Sequence, residues 1–353
     1  MARAGQSQDA DTKNNHSQRC MLGFHDGLAR LPGVSGPMRQ KQVFISLLIL
    51  LSACSMPPGA PPAALRTIAA LNVGNLDFLG VDFFDARTGW AVGDIDPRGA
   101  GGAIYETVDG GRSWRPIART SEVLTTVHFV SLKTGWVAGD AGRIARTDDG
   151  GLTWKPQRIE RQGEVLNCIF FFDERMGWAV GGSGLVLTTA DGGETWNQVD
   201  TGRVEDLWSI RFVTRERGWI AGEEGLILSS TDGGETWLPL ESGTSAALFG
   251  FAVASSGVAI AVGEAGTILR SDGDSGWKPV KFPSDSTLNA VSVSGSSFCA
   301  VGQRGTILNS TDEGRSWTSI AGSSRDFNSI DLPALNCAIA VGRRGVAQLL
   351  QSN

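Results

Sequence analysis

The sequence predicts an all-β fold, a single seven-bladed β-propeller. Three observations point there: a segment that recurs seven times at about 40 residues, a turn motif that keeps a fixed place within each copy, and a Gly- and Trp-rich composition with little helix signal. The first copy of the segment is Gly89-Trp90-Ala91-Val92-Gly93. It returns at Gly135 to Gly139, Gly177 to Gly181 and Gly218 to Gly222. Weaker copies are Ile260 to Gly263, Cys299 to Gly302 and Ile339 to Gly342. The closing glycines stand 46, 42, 41, 41, 39 and 40 residues apart, a spacing that fits a blade of four strands.

Each copy divides in the same way. An apolar run comes first, as in Leu124 to Val130 or Leu166 to Phe172, and the Gly-Trp segment is second. The third is a stretch such as Gly225 to Ser230, and the fourth opens on a Trp, as in Trp237 to Leu240. Short runs bounded by Gly and Asp turns read as strands.

The third and fourth strands are joined by Thr107-Val108-Asp109-Gly110-Gly111-Arg112-Ser113-Trp114. Thr147 to Trp154, Thr189 to Trp196, Ser230 to Trp237 and Ser310 to Trp317 repeat it. Arg270 to Trp277 is a degraded copy that keeps Asp272 and Trp277. The motif resembles the Asp-box of BNR-type propellers, and its physics is local. Asp109, Asp149, Asp191, Asp232, Asp272 and Asp312 are expected to accept backbone N–H groups within the turn, and the Trp to fill the space between blades. Ten of the eleven Trp occupy the two repeat positions, and only Trp208 does not.

The seventh copy stops at Asn353 after its third strand. Leu65 to Leu71 form an apolar stretch before the first copy. That N-terminal strand is expected to supply the missing outer strand of the last blade, closing the ring and removing sheet edges, with the propeller spanning residues 65–353.

Upstream, Met38-Arg39-Gln40-Lys41 is basic, Val43 to Leu51 is apolar, and Leu51-Ser52-Ala53-Cys54 follows. This order is that of a secretory signal, and the run is too short to span a bilayer. It resembles a bacterial lipoprotein signal over 38–54, with Cys54 lipidated. Residues 1–37 precede the signal, so they are read as a disordered extension or as lying before a true start at Met38. Residues 55–64 are Pro-rich and read as a stiff tether. The expectation is an exported protein held in the cell envelope by its lipid, facing the periplasm.

Of 31 Lys+Arg and 37 Asp+Glu, residues 54–353 carry 25 and 34, a net of −9. Nothing in this balance points to a nucleic-acid partner. A sialidase needs an arginine triad and a Tyr nucleophile. The one Tyr, Tyr105, shares a strand slot with Ala145, Leu187 and Leu228, and no Arg-Ile-Pro segment is present. His16, His25 and His128 give no triad and no metal set; His128 shares a slot with Asp82, Arg211 and Asp331. Cys168, Cys299 and Cys337 lie in apolar strand segments and read as buried free thiols, with a disulfide among them left open. No metal, cofactor or enzymatic activity is expected, and a monomer is.

The turns between second and third strands vary most. They place Arg143 in blade 2, Arg304 in blade 6, and Arg343 and Arg344 in blade 7, with Arg98 in blade 1, against Glu223, Glu224 and Glu264 in blades 4 and 5. A basic arc of this kind can orient a protein partner.

Signal, lipobox, Gly-Trp copies and Asp-boxes together resemble the photosystem II stability/assembly factor family over roughly residues 65–353. The resemblance implies a propeller, lumenal in photosynthetic members, that binds a newly made reaction-centre subunit and aids assembly. It also implies that an arginine patch meets the partner, for which Arg143, Arg304, Arg343 and Arg344 are the candidates by placement. Two features depart from it: the arc is thin and the body is net acidic. Non-photosynthetic bacteria also carry such propellers. The reading is therefore a non-catalytic scaffold for a membrane or envelope protein, a reaction-centre subunit if the host is photosynthetic. The alternative is a carbohydrate-binding or glycoside-hydrolase propeller.

Overall fold

The computed structural model describes residues 66–72, 76–94, 101–159, 163–273, 276–282, 284–320, 324–335 and 337–351. The expectations for residues 1–37, for the signal 38–54 with Cys54, and for the tether 55–64 lie outside the described residues.

The chain is an all-β propeller, and its described residues form seven four-stranded antiparallel sheets. Sheet 1 is Asp77–Phe83, Gly89–Asp94, Gly102–Thr107 and Arg115–Thr120. Sheet 2 is Leu124–Phe129, Gly135–Gly139, Ile144–Thr147 and Lys155–Gln157. Sheets 3 to 6 follow in the same order. Their first strands are Leu166–Phe171, Leu207–Phe212, Leu248–Val253 and Leu288–Ser294. The last sheet takes Phe327–Ala334, Cys337–Gly342 and Val346–Gln351, and its fourth strand is Arg66–Asn72. In that pairing Arg66 lies opposite Gln351 and Asn72 opposite Val346.

The strands are slightly shorter than their apolar runs. Val130 already donates its N–H to the Thr134 carbonyl in the following turn, so the first strand of sheet 2 ends at Phe129. Gly225 sits at φ +71° in a turn, so the third strand of sheet 4 begins at Ile227.

The recurring glycines have a steric cause. A Cβ at Gly93, Gly139, Gly181, Gly263, Gly302 or Gly342 would stand 1.9 to 2.1 Å from a carbonyl oxygen at the entry to the first strand of the same sheet. The opening glycine meets a ring instead: a Cβ at Gly135 would be 2.5 Å from Phe129, and one at Gly177 would be 2.4 Å from Phe171.

Those Phe rings show how the sheets join. Phe129 lies on its own Gly135, stacks face to face on Trp90 of sheet 1 at 3.4 Å, and meets the edge of Trp154 from its own Asp-box at 6.1 Å. Phe171 repeats this with Trp136 and Trp196, and Phe212 with Trp178 and Trp237. In three of the Gly-Trp segments the indole N–H then crosses to the next sheet. Trp90 donates to the Gly150 carbonyl at 3.1 Å, Trp136 to Gly192 at 3.0 Å and Trp178 to Gly233 at 2.9 Å. The core is thus divided among the gaps between sheets. The Gly-Trp indole is the residue that crosses the gap, while the Asp-box Trp packs on a Phe of its own sheet.

The Asp-boxes form as expected at five sites. Asp149 accepts the Thr147 hydroxyl at 2.8 Å, the Thr153 N–H at 2.9 Å and the Thr153 hydroxyl at 2.6 Å. Thr147 Oγ1 in turn accepts the Gly151 N–H at 2.9 Å. The Thr153 hydroxyl, the Thr153 amide and the Thr147 hydroxyl hold Asp149 down at about 2, and Thr236 with Ser230 does the same for Asp232. Asp109, Asp191 and Asp312 repeat the network. Asp272 differs, as its carboxylate pairs with Arg270 at 2.6 Å.

Candidate functional site

The second-to-third turns carry the variable residues, and their backbone is uniform. Ala141 and Gly142 both have positive φ, as do Ser183 and Gly184, Glu224 and Gly225, Ala265 and Gly266, Arg304 and Gly305, and Arg344 and Gly345. The following N–H closes the turn, Arg143 to the Asp140 carbonyl at 3.1 Å and Thr306 to Gln303 at 3.1 Å. These are type I′ hairpins, whose twist matches that of the strands they join. The first left-handed position is held by Ala, Ser, Glu, Ala, Arg and Arg in turn, where a side chain costs on the order of 1 kcal/mol. That side chain is exposed at the tip of each turn.

These tips share a face with the entries to the first strands, because Asp140 donates its N–H to the Val123 carbonyl and Arg343 to Asp326. The Asp-boxes lie on the other face, where Gly150 donates to Lys133 in the loop between first and second strands.

Three of the four arginines singled out from sequence fall on adjacent sheets. Arg304 is the exposed tip of the sheet 6 turn, and Arg343 and Arg344 begin the sheet 7 turn. Arg143 stands apart on sheet 2, paired with Glu122 at 2.8 Å. Arg98, expected to continue the arc on sheet 1, lies outside the described residues. The arc is not a bare positive strip. Arg304 pairs with Asp285 at 2.8 Å, and Arg343 approaches Asp326 at 3.5 Å. Among the described residues the Arg344 guanidinium has no carboxylate within salt-bridge distance, while its carbonyl accepts a hydrogen bond from Arg325 at 3.1 Å. Asp285 is 86% exposed, so its pairing with Arg304 contributes little stability and a competing carboxylate can replace it.

Sequence reasoning missed the carboxylates that brace these turns. Asp326 accepts the Arg304 backbone N–H at 2.8 Å, Asp206 accepts that of Ser183 at 2.8 Å, and Asp77 accepts that of Arg344 at 2.8 Å. In each case a residue entering one sheet holds the turn of the sheet before it. All three stand at the entry to the first strand, at one repeat position, a signal visible on aligning the copies.

Along the axis the first strands enclose a cavity of about 420 Å³. Its wall is tied by amides that cross between sheets: Asn167 donates to the Leu207 carbonyl at 2.9 Å, Asn289 to Phe327 at 2.7 Å and Asn328 to Phe78 at 2.7 Å. The slot shared by Asp82, His128, Arg211 and Asp331 also lines it. Asp331 accepts the Phe83 N–H at 2.8 Å, the Leu332 N–H at 2.8 Å and the Ser292 hydroxyl at 3.2 Å. Burial, then the nearby Asp82 carboxylate, pushes Asp331 up to about 6 despite those bonds. His128 Nε2 lies 2.9 Å from the Phe171 carbonyl and therefore carries a hydrogen, and Nδ1 faces Asp82 at 3.6 Å. Asp82 itself accepts the Phe129 N–H at 2.7 Å. These polar groups are committed to backbone partners, as a structural role requires.

The remaining expected residues are structural as well. Tyr105 packs edge-on to Phe78 at 5.5 Å. Cys168, Cys299 and Cys337 are free thiols; burial is complete only for Cys299, whose thiol it pushes up, and Cys168 lines the axial cavity. Among the described residues no three His, Cys, Asp or Glu side chains are grouped to hold a metal ion.

The sequence matches the family described as photosynthesis system II assembly factor YCF48 over residues 66–162, 116–203 and 158–245, which together span 66–245, just over half of the 353-residue chain. No curated protein matches it. Among solved structures, YCF48 bound to D1 peptide superposes with a TM-score of 0.67 at 19% identity, covering 83% of this chain and 100% of that one. YCF48 from Cyanidioschyzon merolae gives 0.64 at 18%, covering 82% and 99%. The WD40 β-propeller domain of Doa1 gives 0.67 at 14%, covering 82% and 98%. At these identities the superpositions establish the propeller fold alone, since an unrelated propeller does as well, and the sequence match carries the kinship. The chain belongs to the photosynthesis system II assembly factor YCF48 family.

Proposed function

We propose that this protein is a non-catalytic assembly factor for photosystem II that holds a reaction-centre subunit on its second-to-third turn face. Arg304, Arg343 and Arg344 are the principal contacts, with Arg143 at the far end of the arc. The observation that carries this reading is membership of the YCF48 family, of which a propeller of the same fold is bound to a D1 peptide. The turn tips add to it: side chains at strained, exposed positions vary from sheet to sheet while the backbone beneath them stays constant.

Anisotropy of a labelled D1 peptide tests the reading. The triple change Arg304→Glu, Arg343→Glu and Arg344→Glu should weaken binding by at least about 10-fold, and the wild-type affinity should fall as salt rises. Wild-type protein that ignores the peptide but binds or cleaves a glycan would overturn it.

The finer architecture is part of the proposal. The seven sheets are read as seven blades of one ring closed by strand Arg66–Asn72. The register of that strand with Val346–Gln351, the Asn328 bond to Phe78 and the Asp77 bond to Arg344 support this. Deleting residues 63–73 should then remove most of the stability, and an unchanged melting temperature would count against closure. The lipoprotein signal supports export and anchoring through Cys54, facing the periplasm, or the thylakoid lumen in a cyanobacterial host. Loss of labelled-palmitate incorporation in Cys54→Ser tests the anchor. A monomer is expected by light scattering.

A further inference from the structure

The polar ring around the axis is broken in two places, at sheet 1, where Leu79 takes the position, and across sheets 4 and 5. At the second position of the first strand, Thr125, Asn167, Asn289 and Asn328 each donate a hydrogen bond to a main-chain carbonyl of the next sheet. In sheets 4 and 5 the same position holds Trp208 and Phe249, which cannot make that bond. Their rings meet edge to face, 5.4 Å apart at 76°. Both are half-buried and line the axial cavity, whose wall also includes Gln303, Asp326 and Arg343 of the arginine-bearing face. Trp208 is the single Trp outside the two repeat positions, and its indole N–H is buried with no hydrogen-bond partner among the described residues. An aromatic pair that replaces two inter-sheet hydrogen bonds and leaves an indole donor unpaired weakens the fold locally, and nothing in the blade repeat requires it.

We infer that Trp208 and Phe249 form an apolar seat at the mouth of the axial cavity. It takes an aliphatic or aromatic side chain of an extended peptide whose carboxylates lie against Arg304, Arg343 and Arg344. The inference rests on the partner-binding reading given above and adds the side chain that gives it specificity. Charge fixes the class of occupant: one side of the opening is apolar, and the turns on the other side carry exposed arginines, of which Arg304 is paired only with the 86% exposed Asp285 and Arg343 stands 3.5 Å from the more buried Asp326. The perpendicular rings make a corner and not a flat platform, which suits the end of a side chain better than the face of a sugar ring. Buried aromatic anchors surrounded by polar contacts are the usual centre of such interfaces.

The test uses Trp208→Asn and Phe249→Asn in the full protein, which install the residue that sheets 3, 6 and 7 already carry. The melting temperature should hold or rise, because the missing inter-sheet bonds can form. Affinity for the labelled peptide of the preceding section should nonetheless fall at least about 10-fold. The same fall should appear in wild-type protein when one apolar residue of the peptide is changed to Ala, with no further loss when the two changes are combined. Undiminished binding by both Asn variants, with the arginine dependence intact, would overturn the seat and leave the partner reading standing. Absence of binding by wild-type protein would overturn both. Loss of binding together with a lowered melting temperature would mean that the rings serve the fold, and would also overturn the seat.

Discussion

Asp331→Asn should change how stability depends on pH. In the folded protein the carboxyl is pushed up to about 6, by burial first and by Asp82 second, from an ordinary value of 3.8. Between those values the folded state binds the proton more tightly than the unfolded chain does. Stability therefore falls as pH rises through the window, is fully present below about 4, and levels off above about 6. At 1.36 kcal/mol per pH unit, the loss is about 3 kcal/mol. The Asp-box carboxylates do not obscure it. Asp149, Asp191 and Asp232 are held at about 2, so their contribution is complete above 3.8 and is lost only as pH falls towards 2. Asn carries no charge at any pH. Its altered bonding to Phe83, Leu332 and Ser292 adds a constant offset that cancels between two pH values. Urea denaturation of both proteins at pH 4 and pH 7 should show the difference between them moving about 2 kcal/mol in favour of the variant at the higher pH, most of that loss. Parallel stability curves would refute the reasoning, and with it the idea that Asp331 holds a proton where it faces Asp82.

Three further substitutions probe the parts of the blade. Thr147→Val leaves the buried Gly151 N–H without its acceptor and should cost about 1–3 kcal/mol by chemical denaturation. Gly139→Ala drives a Cβ to 2.1 Å from the Val123 carbonyl, a contact that only backbone movement relieves, so a loss of about 3 kcal/mol or failure to accumulate is expected. Arg344→Gly removes a side chain from φ +55° and should stabilise by about 1 kcal/mol while weakening peptide binding, separating the cost of the exposed arginine from its use.

What could be read from sequence follows the range of the interactions. The Asp-box closes within eight residues, so its Thr, Asp, Gly and Trp recur at fixed spacing and announce themselves. The closing glycines recur because backbone approaches them in every sheet, whichever side chains surround them. The resemblance that these motifs carry is borne out by the family match over residues 66–245. The bonds that join one sheet to the next were harder to see. Asp326 reaches Arg304 across 22 residues and Asn328 reaches Phe78 across 250, and neither residue type appears in every copy. For the same reason the arginine arc read as more basic than it is. Asp285 and Asp326 come from connections between sheets, and their proximity to Arg304 and Arg343 is a product of the fold. Trp208 was conspicuous as an exception, but its partner Phe249 became visible only when the first strands stood side by side.

Hydrogen–deuterium exchange with and without the D1 peptide shows where the partner sits, because it reports on both faces of the propeller in one experiment. Binding on the second-to-third turn face should slow exchange in the turns at residues 303–305 and 343–345 and in the strand at 207–211, with the Asp-box turns unchanged. Protection confined to the Asp-box turns at 107–114, 147–154 and 189–196 would contradict it.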